Sequence, residues 1–161
     1  MSNKLEPDPG FPEKKQIKVT ALREGTVIDH LARGTALKAI HALGMEMTNT
    51  LLIGLDLESK KLGRKDLIKI ENKELSQEEA NKIALISPGA TFSIIRDFKV
   101  VDKVSPELPD RVEGLIRCSN PSCVTNQYDL RTVFLVQKRD PVKVGCYFCE
   151  RTFTKEEIVF K

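Results

Sequence analysis

Four cysteines, arranged as two short pairs, constrain this chain more than any other feature. The pairs are Cys118-Ser-Asn-Pro-Ser-Cys123 and Cys146-Tyr-Phe-Cys149, and 22 residues separate them. Each short loop can present two thiolates to the same tetrahedral ion, and a compact site of soft sulfur ligands selects zinc over hard cations. The spacing therefore predicts one zinc ion per chain, held by Cys118, Cys123, Cys146 and Cys149.

We expect this zinc to be structural. A catalytic zinc keeps an open position for water, usually beside histidine or carboxylate ligands, but His30 and His41 both lie far from the cysteines in the sequence. A unit of about fifty residues buries little apolar surface, and a structural zinc contributes on the order of 10–16 kcal/mol of apparent binding free energy. Buried free cysteines and a redox pair are the alternatives, although a thioredoxin-like pair would be expected beside a βαβ unit, which is not predicted here.

Composition indicates a globular protein of the cytoplasm. The chain is 40% hydrophobic and 30% charged, and its formal net charge is only +3, well short of the concentrated positive field of a dedicated DNA-binding protein. No apolar run approaches the length of a membrane span, and Met1–Gly10 has no hydrophobic core of the kind that a secretory signal requires. We therefore expect a cytoplasmic location, with neither a membrane nor a nucleic acid as partner.

The first half of the chain shows alternating strand and helix signals. Residues 1–15 have no periodic apolar face, which predicts a flexible arm. Apolar alternation predicts a strand over Gln16–Arg23, ended by Gly25. A helix is expected next, with Thr35 as its cap and Gly44 as its left-handed stop; its apolar positions are Ala36, Leu37, Ile40 and Leu43.

A hairpin, a second helix and two more strands are expected after it. Met47–Leu57 and Lys65–Ile70 flank a polar turn that contains glycine. Ser76 and Glu79 form a capping box ahead of a helix whose apolar positions are Ala80, Ile83, Ala84 and Ile86. Strands over Thr91–Ile95 and Phe98–Val104 complete a β-α-β-β-α-β order with one extra strand. This order predicts an antiparallel, ferredoxin-like sheet with both helices on one face.

The segment Ser105–Pro109 contains two prolines and separates this half from one without a clear helix. Short strands are predicted beyond it, over Val112–Cys118, Leu130–Lys138, Val142–Cys146 and Thr152–Phe160. The fold class is therefore α+β, with an N-terminal domain over 16–105 and a small all-β zinc domain over 106–161.

One strand of the predicted hairpin has a basic face. In an extended Lys65–Ile70, the side chains of Lys65, Leu67 and Lys69 share one side, and the isoleucines point to the helices on the other. Lysines on the uncovered side could hold a polyanion, but a solvated surface is the plainer interpretation. Asp29 and His30 are similarly open to either a structural hydrogen bond or a site. The chain has no glycine-rich phosphate loop, so side-chain cations would have to bind any nucleotide.

Two runs and the cysteine pattern closely resemble the regulatory chains of aspartate carbamoyltransferase. The runs are Gly25-Thr26-Val27-Ile28-Asp29-His30 and Gly63-Arg64-Lys65-Asp66-Leu67-Ile68-Lys69-Ile70-Glu71-Asn72. The resemblance extends from about Lys18 to the C-terminus. It implies a non-catalytic subunit of pyrimidine biosynthesis whose allosteric domain binds CTP, ATP or UTP. It also implies that regulatory dimers form through the first domain and that the zinc domain docks on the catalytic chain.

The same resemblance implies a set of nucleotide-binding residues. Lys103 and His30 would lie near the phosphates, and Asp29 and Lys69 near the ribose, with Lys65 close by. The base would be framed by Thr20, Ala21, Leu22, Val27, Leu67, Phe98 and Val100. Thr20, Ser93 and Phe98 depart from the best-known bacterial sequence, which has an acid, an amide and a tyrosine there. All three bear on the base pocket, so which nucleotide inhibits and which activates stays open.

A zinc-ribbon protein that binds nucleic acid is the competing interpretation. It would require clustered lysines and arginines with exposed aromatic residues around the cysteine pairs. Tyr147 and Phe148 lie within the second pair, but the charge around them is mixed.

Overall fold

The computed structural model describes residues 20–45 and 49–161. The predicted arm, 1–15, lies outside the described residues, as do residues 16–19 of the first predicted strand and Met47 and Thr48 of the second.

An antiparallel sheet and two helices form the first part of the fold. In chain order the elements are β1 (Gly25–Ala32), α1 (Ala36–Ala42), β2 (Leu51–Ser59), β3 (Gly63–Glu71), α2 (Gln77–Ile86), β4 (Thr91–Arg96) and β5 (Lys99–Val104). The strand order across the sheet is β2-β3-β1-β4-β5, and every neighbouring pair is antiparallel. Without β5 this is the ferredoxin-like order, so the predicted fold class is confirmed, including its extra last strand.

Both helices cover the same face of the sheet. Ile28 and Ile68, from adjacent strands, are fully buried in one apolar cluster with Ala39 of α1 and Ile83 of α2. Neighbouring positions along β3, such as Lys65, point to the other side because side chains alternate along a strand. The sheet therefore has one face covered by helices and one that the helices leave open.

The first strand begins where the sequence predicted a strand to end. Residues 20–23 of the predicted Gln16–Arg23 strand are irregular, and β1 starts at Gly25. Gly25 has a φ of 136°, and a Cβ there would lie 2.0 Å from the carbonyl oxygen of Ile70 on β3. For residues 20–25 the prediction was wrong, because Gly25 permits a close approach of two strands and does not end a strand.

A side chain of strand β3 caps the first helix. Thr35 occupies the cap position as predicted, but its hydroxyl donates to the carbonyl of Ala32 at 2.6 Å and accepts no hydrogen bond from the helix. The N–H of Ala36 donates instead to Oδ2 of the buried Asp66 on β3, at 3.1 Å. Gly44 has the predicted left-handed conformation, with φ of 56°. Leu37, predicted to face the core, is 62% exposed, so that assignment was wrong.

The second helix has the predicted capping box and is buried on two sides. The Ser76 hydroxyl accepts from the N–H of Glu79, and the Glu79 carboxylate accepts from the N–H of Ser76. Ile83 packs against the sheet, while Ala84 and Leu85 belong to a second apolar cluster that includes residues after the proline segment. The apolar run Ile83–Ile86 is therefore explained by contacts with both parts of the fold.

The second part, here called the metal unit (residues 111–161), consists mainly of short strands. Its elements are β6 (Arg111–Glu113), β7 (Ile116–Arg117), α3 (Val124–Gln127), β8 (Val133–Arg139), β9 (Val142–Cys146), β10 (Thr152–Thr154) and β11 (Val159–Phe160). The strands form one sheet of order β10-β9-β8-β6 and a pair, β11-β7.

Two predicted strands of the metal unit are divided in the structure, and one short helix was not predicted. The predicted strand Val112–Cys118 is divided at Gly114, which has a φ of 73°. The predicted strand Thr152–Phe160 is divided by a turn between Thr154 and Val159. The one-turn helix α3 was not predicted, because four residues are too few to show a helical apolar period.

Within the described residues, no helix combines the length and the apolar composition that crossing a membrane requires.

Candidate functional site

The four cysteines converge at one point of the metal unit. Cys118 follows β7, Cys123 immediately precedes α3, Cys146 ends β9, and Cys149 lies in the turn before β10. Their Sγ atoms all lie within 4.8 Å of one another. The Sγ atoms of Cys118 and Cys149 are 3.7 Å apart, and those of Cys123 and Cys146 are 3.8 Å apart. Edges of about 3.8 Å are those of a tetrahedron of sulfurs at about 2.3 Å from a central zinc ion.

Backbone and amide hydrogen bonds hold both cysteine loops in place. The N–H of Cys123 donates to the carbonyl of Asn120 at 3.0 Å, and the N–H of Glu150 donates to the carbonyl of Cys146 at 2.9 Å. The Asn126 side-chain amide, on α3, donates to the carbonyls of both Cys118 and Asn120 at 2.8 Å. The loop from Cys118 to Cys123 is thus tied to the helix that follows it.

Three of the thiols have shifted pKa values, and the direction of each shift follows from its surroundings. Burial raises the pKa of Cys118 and of Cys146 above the usual value. Burial acts in the same direction on Cys149, but the backbone N–H of Arg151 and the Asn120 side chain outweigh it and lower the pKa of Cys149 to about 7. A bound dication would favour the thiolate form of all four ligands.

The donor set fits one structural zinc ion. Four sulfur ligands fill a tetrahedral shell and leave no position for a reacting water, and three of the four cysteines are buried. When bound, the ion would join β7, α3, β9 and the turn before β10, which are otherwise short elements. The predicted cofactor is therefore supported by geometry as well as by spacing.

A row of side chains crosses the side of the first sheet that the helices leave uncovered. We call this side the open face. The strand register pairs Lys69 of β3 with Val27 of β1, Val27 with Ser93 of β4, and Ser93 with Lys103 of β5. Residues that are paired across antiparallel strands point to the same face, so these four lie in one line. The two lysines stand at the two ends of this line. Three strand spacings separate them, so their Cα atoms are roughly 14 Å apart.

A β-bulge brings Asp29 and His30 to the same face. The register of β1 against β3 shifts between Ile28 and Leu31, and His30 has a φ of 56°. The extra residue lets consecutive side chains point the same way. His30 Nδ1 lies 3.1 Å from the hydroxyl of Thr91, which alternates with the buried Phe92 and therefore also lies on the open face.

Asp29 is paired with Lys65 across the neighbouring strand. The Lys65 ammonium donates to Asp29 Oδ1 at 2.6 Å, and the backbone N–H of His30 donates to the same oxygen, also at 2.6 Å. Burial alone would raise the pKa of Asp29, but these hydrogen bonds outweigh it, so its pKa lies below the usual value. Lys65 is therefore already neutralised by Asp29. Lys69 and Lys103 are the lysines of this face without a carboxylate partner in the described part of the chain.

The remaining predicted residues lie on the open face or along its border. The Lys69 ammonium donates to the carbonyl of Thr20 at 3.2 Å, which connects the irregular segment 20–24 to β3. The N–H of Phe98 donates to the carbonyl of Arg23 at 3.1 Å, and the Phe98 side chain is 60% exposed in the turn between β4 and β5. Val100 is paired with Ile95, and Leu67 lies between the two lysines of β3. Ala21 is exposed and Leu22 half-buried beside Thr20.

Two polar residues of these sites were not found by sequence reasoning. Thr91 lies two residues before Ser93 in an alternating strand, so the same period that placed the lysines could have placed it. Asn126 gave no such signal, because its role depends on a short helix that folds back onto the cysteine loop.

The fold and the four-thiol centre define an α+β metal-binding protein whose metal is structural. Residues 17–107 match the family described as aspartate carbamoyltransferase regulatory chain, allosteric domain. Residues 110–159 match the family described as aspartate carbamoyltransferase regulatory chain, metal binding domain. The chain belongs to the family of aspartate carbamoyltransferase regulatory chains.

Curated relatives agree along nearly their whole length. The aspartate carbamoyltransferase regulatory chain of Pyrococcus abyssi is 51% identical over 147 residues, which cover 89% of this chain and 97% of the relative. That of Pyrococcus furiosus is 49% identical with the same coverage, and that of Methanocaldococcus jannaschii is 41% identical over 91% of this chain and 97% of its own length. These matches confirm the resemblance seen in the sequence and the prediction of a regulatory, non-catalytic subunit.

Proposed function

We propose that the chain binds nucleoside triphosphates, namely CTP, ATP or UTP, on the open face and so adjusts the activity of aspartate carbamoyltransferase catalytic chains in pyrimidine biosynthesis. The main observation is the row that ends in two lysines without carboxylate partners, beside the bulge at Asp29 and His30. A triphosphate needs cations that are not already neutralised, and a ribose needs an acceptor for its hydroxyl groups. Both are present on this face.

The role of each contact comes from the resemblance to the family, and the position of each residue on the face is compatible with it. Lys103 and His30 are assigned to the phosphates, and Asp29 and Lys69 to the ribose. The Lys65 ammonium holds the Asp29 carboxylate at 2.6 Å, so Asp29 is already oriented before a ligand arrives. Ser93 lies between Val27 and Lys103 in the row, where its hydroxyl can donate or accept.

The base is assigned to the apolar side of the face and to the segment that borders it. Val27, Leu67, Phe98 and Val100 supply the apolar surface, and Phe98 has an exposed ring on which a base can stack. Backbone groups of Thr20, Ala21 and Leu22 would then form hydrogen bonds with the edge of the base. Backbone recognition is compatible with more than one base, so this chemistry supports binding without fixing which nucleotide inhibits.

Calorimetric titration of the zinc-loaded chain with CTP, ATP and UTP tests the site. Lys69→Ala and Lys103→Ala should each weaken binding about ten- to hundredfold, because each removes a charge-assisted contact. Lys99→Ala is the matched control, since Lys99 lies on the same strand but pairs with Arg96, on the face that the helices cover. Wild-type affinity in both lysine variants would leave the open face as an ordinary solvated surface.

We also propose that the metal unit docks on the catalytic chain. Tyr147 and Phe148 project from the second cysteine loop with their ring centroids 5.6 Å apart, and Tyr147 is 62% exposed. Exposed aromatic residues on a loop fixed by a metal are suited to an interface centre. Tyr147→Ala should reduce the recovery of catalytic chain in co-purification, whereas Leu135→Ala, at an exposed site on β8, should not. Equal recovery in both variants would place the docking surface elsewhere.

Two copies of the chain are proposed to pair through the first sheet. Among the described residues β2 is an edge strand, and it exposes Ile53 and Leu55. An exposed apolar edge strand is a template for pairing with another strand. Light scattering of the purified chain should give the mass of a dimer, and a monomer at micromolar concentration would contradict this pairing.

The division into a nucleotide-binding domain, 16–105, and a zinc-binding domain, 106–161, and the cytoplasmic location remain proposals. Free cysteines at a metal centre are suited to a reducing compartment. Limited proteolysis should cut near residue 105 before it cuts elsewhere in the described chain.

A further inference from the structure

Lys38 connects the first helix to the metal unit. It lies on α1, is half-buried, and its ammonium donates to the backbone carbonyl of Lys155, in the turn between β10 and β11. Apolar contact between the two parts is made by Ala84 and Leu85 of α2 and by Phe160 of β11, and Lys38 adds a polar contact to it. A lysine that donates to a carbonyl has a defined bound position and an alternative position in water.

The start of the same helix is fixed by a carboxylate that is fully buried. Oδ2 of Asp66 accepts from the N–H of Ala36 at 3.1 Å, and Oδ1 accepts from the N–H of Asp56 on β2 at 3.0 Å. Asp66 has no exposed surface, so a movement of β3 relative to α1 would break the bond to Ala36 and leave an unsatisfied buried oxygen, while the bond to Asp56 holds the carboxylate on the β2 side. The position of the helix that bears Lys38 therefore follows the position of β3.

The residue next to Asp66 faces the opposite side of the sheet. Lys65 holds Asp29, in the bulge of β1, at 2.6 Å on the open face. A ligand that contacts Asp29, His30 or Lys69 would act on β3 and β1 directly. Two consecutive residues of one strand thus connect the open face to the start of α1, and Lys38 follows Ala36 by two residues.

The Lys38 contact is made by an ammonium group that is partly removed from water. Lys38 is half-buried, and this burial lowers the pKa of its ammonium group. The carbonyl of Lys155 offsets this cost while the contact is formed, and water offsets it when the contact is broken. Because the ammonium is compensated both with and without the contact, a ligand bound elsewhere can change how often the contact is formed.

We propose that Lys38 is a latch that transmits the occupancy of the open face to the metal unit. Nucleotide binding at Asp29 and Lys69 fixes β3, Asp66 carries that constraint to the first turn of α1, and the Lys38 ammonium then holds the carbonyl of Lys155. The inference rests on the proposed nucleotide site. In this role Lys38 is a positioning residue and contacts no ligand itself.

Hydrogen exchange in the zinc-loaded full chain tests the latch, with CTP as the probe. The reporters are the amides of Thr154 and Glu157, which are bonded to the Glu157 carboxylate and to the Thr154 carbonyl and flank Lys155. Saturating CTP should slow their exchange in the wild-type chain by about two- to thirtyfold, the range of couplings that single residues modulate. In Lys38→Met, which keeps the apolar stem without the ammonium, this effect should disappear.

Two further variants separate the latch from a loss of stability. Lys60→Met removes the same charge from an exposed turn and should keep the wild-type response to CTP. Lys38→Gln keeps a neutral donor and should restore part of the response. By linkage, the affinity of Lys38→Met for CTP should change by no more than the factor lost from the exchange response.

The outcomes distinguish this inference from the proposed function. An absence of binding of CTP, ATP and UTP to the wild-type chain would contradict the nucleotide site, and the latch with it. Binding without any change in exchange at Thr154 and Glu157, or an equal change in Lys38→Met and Lys60→Met, would contradict the latch alone.

Discussion

The Lys65 ammonium and the Asp29 carboxylate join two neighbouring strands on the open face at 2.6 Å. Both side chains are mostly removed from solvent, with 17% and 25% of their surface exposed. The pair has two consequences: it orients Asp29, and it makes the stability of the sheet depend on pH.

Asp29→Asn should lower the free energy of unfolding by roughly 1–3 kcal/mol at pH 7, between the values typical of exposed and buried pairs. The pKa of Asp29 is lowered in the folded chain from an ordinary value of 3.8, so the stabilisation is complete above that value. It is lost as the pH falls through the folded pKa. Urea unfolding of wild type and variant at several pH values between 3 and 7 measures this difference.

Glu58→Gln is the control for this comparison, because Glu58 is exposed on the edge strand β2. Its effect should be small at every pH. A penalty for Asp29→Asn that stayed constant down to the lowest pH would show that the aspartate acts through its shape and not through its charge.

Gly25→Ala should destabilise the first sheet by at least about 2 kcal/mol. The φ of 136° is unfavourable for any side chain, and the added Cβ would meet the backbone of Ile70 at 2.0 Å, where no side chain can move aside. Gly89→Ala is the matched control, since a Cβ there would meet no atom within 4 Å. Thermal unfolding monitored by circular dichroism compares the two; similar midpoints would contradict the close approach of β1 and β3.

Sequence patterns predicted a feature correctly where that feature depends on residues close together in the sequence. The cysteine spacing, the Ser76 and Glu79 capping box, and the face shared by Lys65 and Lys69 all depend on residues a few positions apart. Each needs only the geometry of a loop, a helix turn or an extended strand. The helix-covered side of β3 followed from the same alternation.

Features that depend on partners distant in the sequence could not be predicted in this way. The bulge at Asp29 and His30 exists only relative to the register of β3, and Asp66 caps a helix that begins thirty residues earlier in the chain. Leu85 is buried against the metal unit, which no helical period on its own would indicate. Gly25 was misassigned for the same reason, because the close approach that requires a glycine there is made by the backbone of Ile70.

Asn126→Asp should weaken zinc binding about ten- to hundredfold, the range typical of residues that orient metal ligands. The change replaces an amide that donates to the carbonyls of Cys118 and Asn120 with an oxygen that repels both. Competition with a chromogenic chelator measures zinc retention directly. Gln127→Glu introduces the same charge at the next, exposed position and should retain zinc as the wild type does.

Metal loss in the Asn126 variant should also appear in the fold. Without zinc the metal unit should lose its ordered near-ultraviolet signal from Tyr147 and Phe148, because folding and metal binding are linked. Unchanged zinc retention in Asn126→Asp would mean that the cysteine loop is held by its backbone bonds alone.

Lys103→Ala should change regulation without changing catalysis when the chain is assembled with its catalytic partner. The lysine is exposed and makes no side-chain hydrogen bond or ion pair within the described residues, so its loss should cost little stability. The effector concentration that gives half of the maximal response should rise about ten- to hundredfold, because one contact to phosphate is lost. Substrate saturation without effector should stay as in the wild type, since effector and substrate interact only through the assembly.

Steady-state assays across an effector series measure both quantities, with Lys99→Ala as the control of equal charge. A shift in substrate saturation without effector would show that Lys103 stabilises the assembly itself, and an unshifted effector response would remove it from the phosphate site.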